Sequence, residues 1–310
     1  MFPERKKSVF YVLAFLGLLN VFVWLIVYDL SKACFLEVTF LDVGQGDAIF
    51  IETPQRNQIL IDGGPNSAIL EKLNTRMPFW DRTIDLIILT HPESDHLTGL
   101  IEVLKRYKVE NILWTGIIRD TNEYQEWEKL VENEDAEIKI AQAGQRINLS
   151  TFAETSLHLL PRPTSRGSAS EVDRYIEILY PFESLAGQEF KDSNNSSIVA
   201  KLVFGKNSFL FTGDTYKSVE KELIEKGISI NSDVLKVAHH GSKTSTSQDF
   251  VREVFPQIAV ISAGRNNSYG HPHQETLDTL AKYDITIFRT DLQGDIEIIS
   301  DGKNYGVSTF

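Results

Sequence analysis

Cysteine is all but missing from this sequence of 310 residues: Cys34 stands alone. That excludes an internal disulfide framework and any cysteine-built zinc module, so metal chemistry here has to use nitrogen and oxygen ligands. Basic residues are also scarce, 31 Lys and Arg against 43 Asp and Glu, for a net charge of −12. A surface that coats nucleic acid rests on many Lys and Arg contacts to phosphate, and this balance argues against one; a local basic or metal-centred groove stays open. Bound cations can also match part of the excess acid. There is no long disordered tract and no tandem repeat, and 42% hydrophobic with 24% charged residues is the balance of a globular protein. The length allows one large domain or two medium ones.

What is present is clustered. Six of the seven histidines fall in three tight groups, His91/His96, His239/His240 and His271/His273. Only His158 is solitary, in a strand-like run between Leu157 and Leu159, and it reads as structural. The chain is organised around Leu86-Ile-Ile-Leu89-Thr-His91-Pro-Glu93-Ser-Asp95-His96. The unbroken apolar run predicts a strand buried on both faces. Two imidazoles and two carboxylates follow it within six residues. Strand ends facing a crevice are where open α/β folds place chemistry. Such a loop can hold two divalent cations if other strand ends complete the shells. A merely polar surface loop does not account for so dense a cluster straight after a buried strand.

At the N-terminus, Ser8 to Tyr28 is almost wholly apolar and Arg5, Lys6 and Lys7 precede it. About 20 apolar residues span a bilayer as a helix, and the basic flank keeps that end in the cytoplasm. The reading is a signal anchor in residues 1–34, single-pass in the cell membrane, with residues 35–310 forming one domain on the extracytoplasmic side. A cleaved signal peptide is the competing reading, but the apolar core is long and Ser31-Lys-Ala33 is a mediocre cleavage site. Ala33-Cys34 hints at a lipoprotein signal, where Lys32 sits badly.

The next stretch predicts two strands joined by the Gly44-Gln-Gly46 turn, then Gln58 to Asp62 as a third. Asp42, Asp47 and Asp62 all sit at strand ends. Ordinary turn chemistry explains each; the functional alternative, favoured for Asp42 and Asp62, is a second shell orienting metal ligands. Helices are predicted over Ser67–Arg76, Leu97–Tyr107, Glu123–Asn133 and Thr276–Tyr283, with a polar surface loop over Arg162–Arg174. Antiparallel pairs combined with strand–helix alternation predict a sandwich of sheets with helices outside. Ile285–Arg289 and Asp295–Ser300 read as two strands finishing the second sheet.

In the second half, three successive segments supply ligand types beside strands: Asn194-Asn195, Gly213-Asp214 and His239-His240-Gly-Ser242. A lone Gly-Asp is a weak signal, but joined to the first loop the set is strong. With Leu41-Asp-Val-Gly-Gln-Gly-Asp47, Leu60-Ile-Asp-Gly-Gly64 and Tyr269-Gly-His-Pro-His273, the chain from Phe35 to Phe310 resembles the metallo-β-lactamase superfamily. It is most similar to the hydrolase domain of ComEC-type DNA-uptake proteins. The resemblance implies an αββα sandwich, an active site along one edge of the sheets, and two divalent metal ions bridged by a carboxylate and a water. Carried over residue by residue, it implies His91 and Glu93 at one metal, Asp95 and His96 at the other, and Asp214 bridging. One of His239 and His240 completes the second site, His240 being favoured because neighbours in a strand point opposite ways. Asn195 stands where the wider superfamily has a histidine ligand, as does Glu93. These departures enrich the site in oxygen, so Mn²⁺ and Mg²⁺ join Zn²⁺ as candidates, and they argue against a β-lactam hydrolase.

Asp95, His271 and His273 form the expected catalytic set, the last two as donor or general acid for the leaving oxygen; a helix-start turn with solvated imidazoles is their ordinary alternative. Asn194, Ser242, Lys243 and Thr244 are candidate phosphate contacts. The expected reaction is metal-assisted hydrolysis of a phosphodiester, with DNA as the substrate that the resemblance implies. A single predicted span carries no channel, so the expectation is either a partner of a separate membrane DNA channel or an independent hydrolase on the outer side of the membrane. The rivals are hydrolysis of a small ester (a phosphocholine ester, nucleotide or lactone) and a non-catalytic, metal-stabilised binding module. Oligomeric state is not encoded in any motif.

Overall fold

The computed structural model describes residues 4–30, 35–149, 159–161 and 174–310. His158, residues 162–173 of the polar loop, and the Ser31–Cys34 segment lie outside the described residues. The chain falls into two compact units, Met1–Cys34 and Phe35–Phe310.

The first unit is helix α1 (Glu4–Leu30). Its apolar residues lie all round rather than in one stripe, and Phe10, Leu18, Phe22 and Trp24 are exposed. Among the described residues, no helix is long and apolar enough to cross a membrane.

The second unit opens with β1 (Leu36–Phe40), β2 (Ile49–Glu52), β3 (Gln58–Ile61), α2 (Ala68–Arg76), β4 (Thr83–Ile84) and β5 (Leu86–Ile88). It continues through α3 (Ser94–Leu104), β6 (Lys108–Val109), β7 (Asn111–Trp114), α4 (Asn122–Asn133), β8 (Glu137–Ile140), β9 (Gln145–Asn148), β10 (Leu159–Pro161) and β11 (Arg174–Tyr180). Then come β12 (Val199–Phe204), β13 (Asn207–Phe211), α5 (Lys217–Glu225), β14 (Val234–Lys236), α6 (Gln248–Val254) and β15 (Ile258–Ile261). The chain closes with α7 (Gln274–Ala281), β16 (Thr286–Arg289), α8 (Thr290–Gln293), β17 (Ile296–Ser300) and β18 (Tyr305–Thr309).

Two eight-stranded sheets result. The first runs β18-β17-β1-β2-β3-β5-β7-β8 and the second β10-β9-β11-β12-β13-β14-β15-β16, with β4 and β6 a separate small pair. Each sheet is antiparallel on one side and parallel on the other, and both parallel halves are built from strand–helix units. Strand alternation sorts the side chains. Val38, Phe40, Ile61, Leu86 and Ile88 meet Leu202, Phe209, Phe211 and Val260 between the sheets. Leu60, Ile87 and Ile112 face outward against α2, α3 and α4. Leu210, Leu235 and Ile261 do the same on the second sheet against α5, α6 and α7. The outcome is a four-layer αββα sandwich, and β5 is buried on both faces because Leu86 and Ile88 point inward while Ile87 points to the helices.

Three details depart from the sequence expectations. Arg174, placed at the end of the polar loop, is the first residue of β11. The helix after the first ligand loop begins at Ser94 rather than Leu97, with extended Glu93 as its cap and Asp95 in its first turn, where the helix dipole favours acid. The last strand pair does not finish one sheet. β16 edges the second sheet, whereas β17 pairs antiparallel with β1 in the first, Leu36 opposite Ser300. The short α8 turns the chain across, and Ile296 and Ile298 then enter the inter-sheet core.

Candidate metal centre

The site forms where the C-terminal ends of strands from both sheets meet. β5 runs into Thr90 and His91, and the first turn of α3 presents Asp95 and His96. β13 ends at the Gly213-Asp214 corner, and β14 leads to His239-His240. Helix α3 is pinned by reciprocal backbone bonds, Gly63 N–H to the His96 carbonyl (2.8 Å) and Gly99 N–H to the Gly64 carbonyl (2.9 Å). The approach is so close that a Cβ on Gly99 would lie 1.8 Å from the Gly63 oxygen.

Hydrogen bonds fix three imidazoles. The Ser262 carbonyl can only accept, so the 2.9 Å contact puts a proton on His240 Nδ1. The Asp62 carboxylate accepts from His96 Nδ1 at 2.8 Å. It also accepts the Thr90 hydroxyl at 2.6 Å, so that hydroxyl takes the 3.0 Å bond from His91 Nδ1 as an acceptor. All three rings therefore turn Nε2 inward. Among the described residues those three Nε2 atoms are buried without a hydrogen-bond partner, as are Asp214 Oδ1 and Asp47 Oδ1. His240 Nε2 stands 3.1 Å from Asp214 Oδ2 and 3.3 Å from Asp95, and His96 Nε2 stands 3.4 Å from Asp214. Asp95, His96, Asp214 and His240 offer ligand atoms within 4.8 Å of one another. Buried lone pairs of this kind are rarely left alone, and a divalent cation taking nitrogen and oxygen donors satisfies them together.

The electrostatics agree. Burial opposes charge on His96 and His240, but the carboxylates of Asp214 and its neighbours outweigh it and raise both imidazoles well above their usual value. Burial also works against ionised Asp214 and Asp95, yet the same histidines hold both carboxyls low. His91 is driven down to about 3 by burial and by the charge of His96, so it stays a neutral nitrogen donor.

Other sequence candidates take varied places. Glu93 lines the pocket, but its carboxylate is engaged by Arg119 (3.0 Å) and the Ser193 hydroxyl (2.5 Å). Asn195 is turned away, accepting from Tyr216 N–H and donating to Ser218. Asn194 lines the pocket instead, its amide 3.0 Å from the Tyr216 hydroxyl and 3.4 Å from His239 Nε2. His239 also lines the pocket, with Nδ1 on Thr244, outside the tight four-residue group. Strand alternation does not separate the two histidines: residues 238–241 form a 3₁₀ turn with both at left-handed φ, 50° and 53°. His271 lines the pocket with its Nδ1 buried and unpartnered. His273 caps α7 and accepts from Lys243 N–H. Ser242 and Thr244 bond each other and, with Lys243, are not among the lining residues. Asp62 accepts from His96 Nδ1 and so fixes the orientation of that ring. Among the described residues the Asp42 carboxylate accepts a turn bond from Gly44 N–H, the ordinary turn chemistry weighed for it, and reaches none of the cluster.

Sequence reasoning passed over Lys236. It is 1% exposed, ion-paired to Asp47, bonded to the Gly213 carbonyl at 3.0 Å and 3.6 Å from Asp214. The signal was available, because a lysine inside the apolar run Val234–Ala238 has to be paired if the strand is buried. Arg119 and Ser193, the partners of Glu93, lie too far along the chain to be read from spacing.

Two sheets with outer helices, and ligands at their shared edge, define a class. The chain belongs to the metallo-β-lactamase superfamily, whose family model matches residues 41–265. Among curated proteins it is 32% identical over 280 residues to ComE operon protein 3 of Bacillus subtilis, covering 84% of this chain and 32% of that protein. It is 30% identical over 265 residues to competence protein ComA of Neisseria gonorrhoeae, again 84% of this chain and 32% of the relative. Recombination protein 2 of Haemophilus influenzae is 28% identical over 284 residues, covering 89% and 30%. This chain thus spans about a third of the length of the curated relatives it matches. Among solved structures, the metallo-β-lactamase fold protein YhfI of Bacillus subtilis aligns with a TM-score of 0.53 at 12% identity, over 86% of this chain and all of that one, a likeness of fold alone. The chain therefore has the metal-dependent hydrolase fold of this superfamily, is related to competence proteins, and carries a His/Asp cluster compatible with divalent metal.

Proposed function

We propose that this chain is a membrane-anchored phosphodiesterase that cleaves DNA outside the cytoplasmic membrane. The observation that carries the catalytic part is the convergence of the buried, unpartnered Nε2 atoms of His96 and His240 on the carboxylates of Asp95 and Asp214, with the His91 ring 4.2 Å from that of His96 and its own Nε2 buried and unpartnered. The kinship with competence proteins favours DNA as substrate; a separate membrane DNA channel would be the partner. The anchor part of the reading rests on the sequence, the apolar run Ser8–Tyr28 that follows Arg5, Lys6 and Lys7.

His91, His96, Asp95, Asp214 and His240 would hold two divalent ions, Mn²⁺ or Zn²⁺ with Mg²⁺ as a third candidate; Glu93 would join them by giving up Arg119. Bound there, the ions supply Lewis acidity and an activated water. The protein's share is preorganisation. Asp62 and Ser262 lock His96 and His240 in the ligating tautomer. Asp95 aligns the attacking water, and His271 on the pocket wall donates toward the leaving oxygen, with His273 behind it. Burial, with the charges of His240 and His239, drives His271 down to about 4; it therefore acts as a hydrogen-bond donor through its neutral ring N–H.

The net charge of −12 favours one second reading, a small phosphodiester such as a phosphocholine ester. The test is to load the full chain separately with Mn²⁺, Mg²⁺ and Zn²⁺ and incubate it with labelled single- and double-stranded DNA beside Asp214→Ala. Metal-dependent cleavage, lost in the variant together with bound metal, is expected. A filled site that cleaves no DNA overturns the reading and moves the search to small phosphodiesters.

A further inference from the structure

One wall of the site is built from rings. Tyr216 and His239 lie with ring centroids 5.4 Å apart, His239 and His271 5.5 Å, and His271 and Tyr269 5.7 Å. The ladder leads from the buried metal-ligand cluster to the rim, where Tyr269 is 65% exposed. Tyr269 and His271 are nearly parallel, 21° apart, unlike the steep angle of 72° between His239 and His271. The Tyr269 segment is held by its own bonds: Asn267 donates to the Gly264 carbonyl and receives His271 N–H. The exposed ring is therefore presented on a braced turn, and its outward face has nothing stacked on it among the described residues.

We infer that Tyr269, backed by His271, is a stacking shelf for the nucleobase next to the phosphodiester being cleaved. The inference rests on the phosphodiesterase reading and deepens it. A flat aromatic face at the rim of a charged pocket matches a planar base attached to a phosphate bound at the floor. Base–aromatic stacking is indifferent to sequence, because every base has a π-face, and it does not rely on the positive surface that this acidic chain lacks. A choline head group would be held by rings set at angles around a cation, whereas the rim pair is parallel. The shelf also favours unpaired strands, since a stacked base must leave its duplex partner.

The test uses the full chain loaded with Mn²⁺, comparing a single-stranded oligonucleotide with the same oligonucleotide made abasic around the cleaved bond. Tyr269→Ala should lower kcat/KM on the intact strand about tenfold or more, mostly through KM. It should leave the abasic strand unchanged, and Tyr269→Trp should keep near-normal rates. Equal loss on both strands, or no loss on either, overturns the shelf while leaving the nuclease reading in place. If the wild-type protein cleaves neither strand, anisotropy decides. Tighter binding of the intact strand that vanishes in Tyr269→Ala keeps the shelf and discards the nuclease reading; equal binding discards both. Tyr269-dependent cleavage of p-nitrophenyl phosphorylcholine with both oligonucleotides untouched would replace the base by a quaternary ammonium.

Discussion

Asp62 shows how much a single buried carboxylate organises. It is fully buried and accepts Thr90 N–H, the Thr90 hydroxyl and His96 Nδ1, so it sets the tautomer of His96 directly and of His91 through Thr90. Asp62→Asn keeps the shape but replaces one acceptor oxygen by a donor. Metal affinity should fall about 10- to 100-fold, read by competition with a chromogenic chelator; unchanged affinity would refute the orienting role. A second expectation concerns protons. His96 and His240 have values raised well above 6.5, despite burial, by the surrounding carboxylates. A group raised in this way stabilises the metal-free fold fully below its unfolded value and loses that contribution as pH rises through the folded value. The metal needs the deprotonated nitrogen, so its hold grows over the same upward course. The gain in Tm on adding Mn²⁺ should therefore increase from about pH 6 to about pH 9. A gain independent of pH would mean that neither imidazole loses a proton on binding.

Helix α3 is the element on which the site depends most. Its first turn carries Asp95 and His96, and its seating is backbone against backbone at Gly63 and Gly99. An alanine methyl at Gly99 would meet the Gly63 oxygen at 1.8 Å, and no side chain can rotate to make room. Gly99→Ala should cost about 1–3 kcal/mol or more and weaken metal binding together with it. Neighbouring Thr98→Ala, half-buried, should change little; equal Tm values for the two variants would show that α3 is free to shift. This element was half legible in advance. The apolar run of β5 and the ligand pattern after it fixed the strand and its chemistry, because a buried strand has one reading. The start of α3 was missed by three residues because Glu93, read as a ligand, also serves as the extended residue before the helix. His239 and His240 were separated by the wrong rule, since no pattern announced that both adopt left-handed backbone. The sheet of β17 was illegible for a different reason: Ile296 and Ile298 alternate inward equally well in either sheet, and only the free edge of β1 decides.

At the scale of the whole sandwich, the site is a seam. Asp95 and His96 come from the first-sheet side, while Asp214 and His240 come from the second, so the ligands stay together only while the sheets do. Lys236 and Asp47 close that seam, joining β14 of one sheet to the β1–β2 loop of the other. Both are buried. Burial alone would discharge each, but the Asp47 carboxylate raises Lys236 and the Lys236 ammonium helps hold Asp47 low, so the pair stays ionised. Taking two charges out of water is costly, and the mutual attraction returns that cost only while both are present. Lys236→Met therefore leaves the Asp47 carboxylate buried with only the imidazoles of His240 (3.4 Å) and His96 (3.9 Å) beside it and should lower stability by about 3 kcal/mol. Lys236→Met combined with Asp47→Leu removes both charges and should recover most of the loss. Urea unfolding with chelator present measures the pair without any contribution from bound metal. A single variant as stable as the parent would show that water reaches Asp47. A double variant no better than the single would show that the seam depends on the shape of these side chains rather than on their charge.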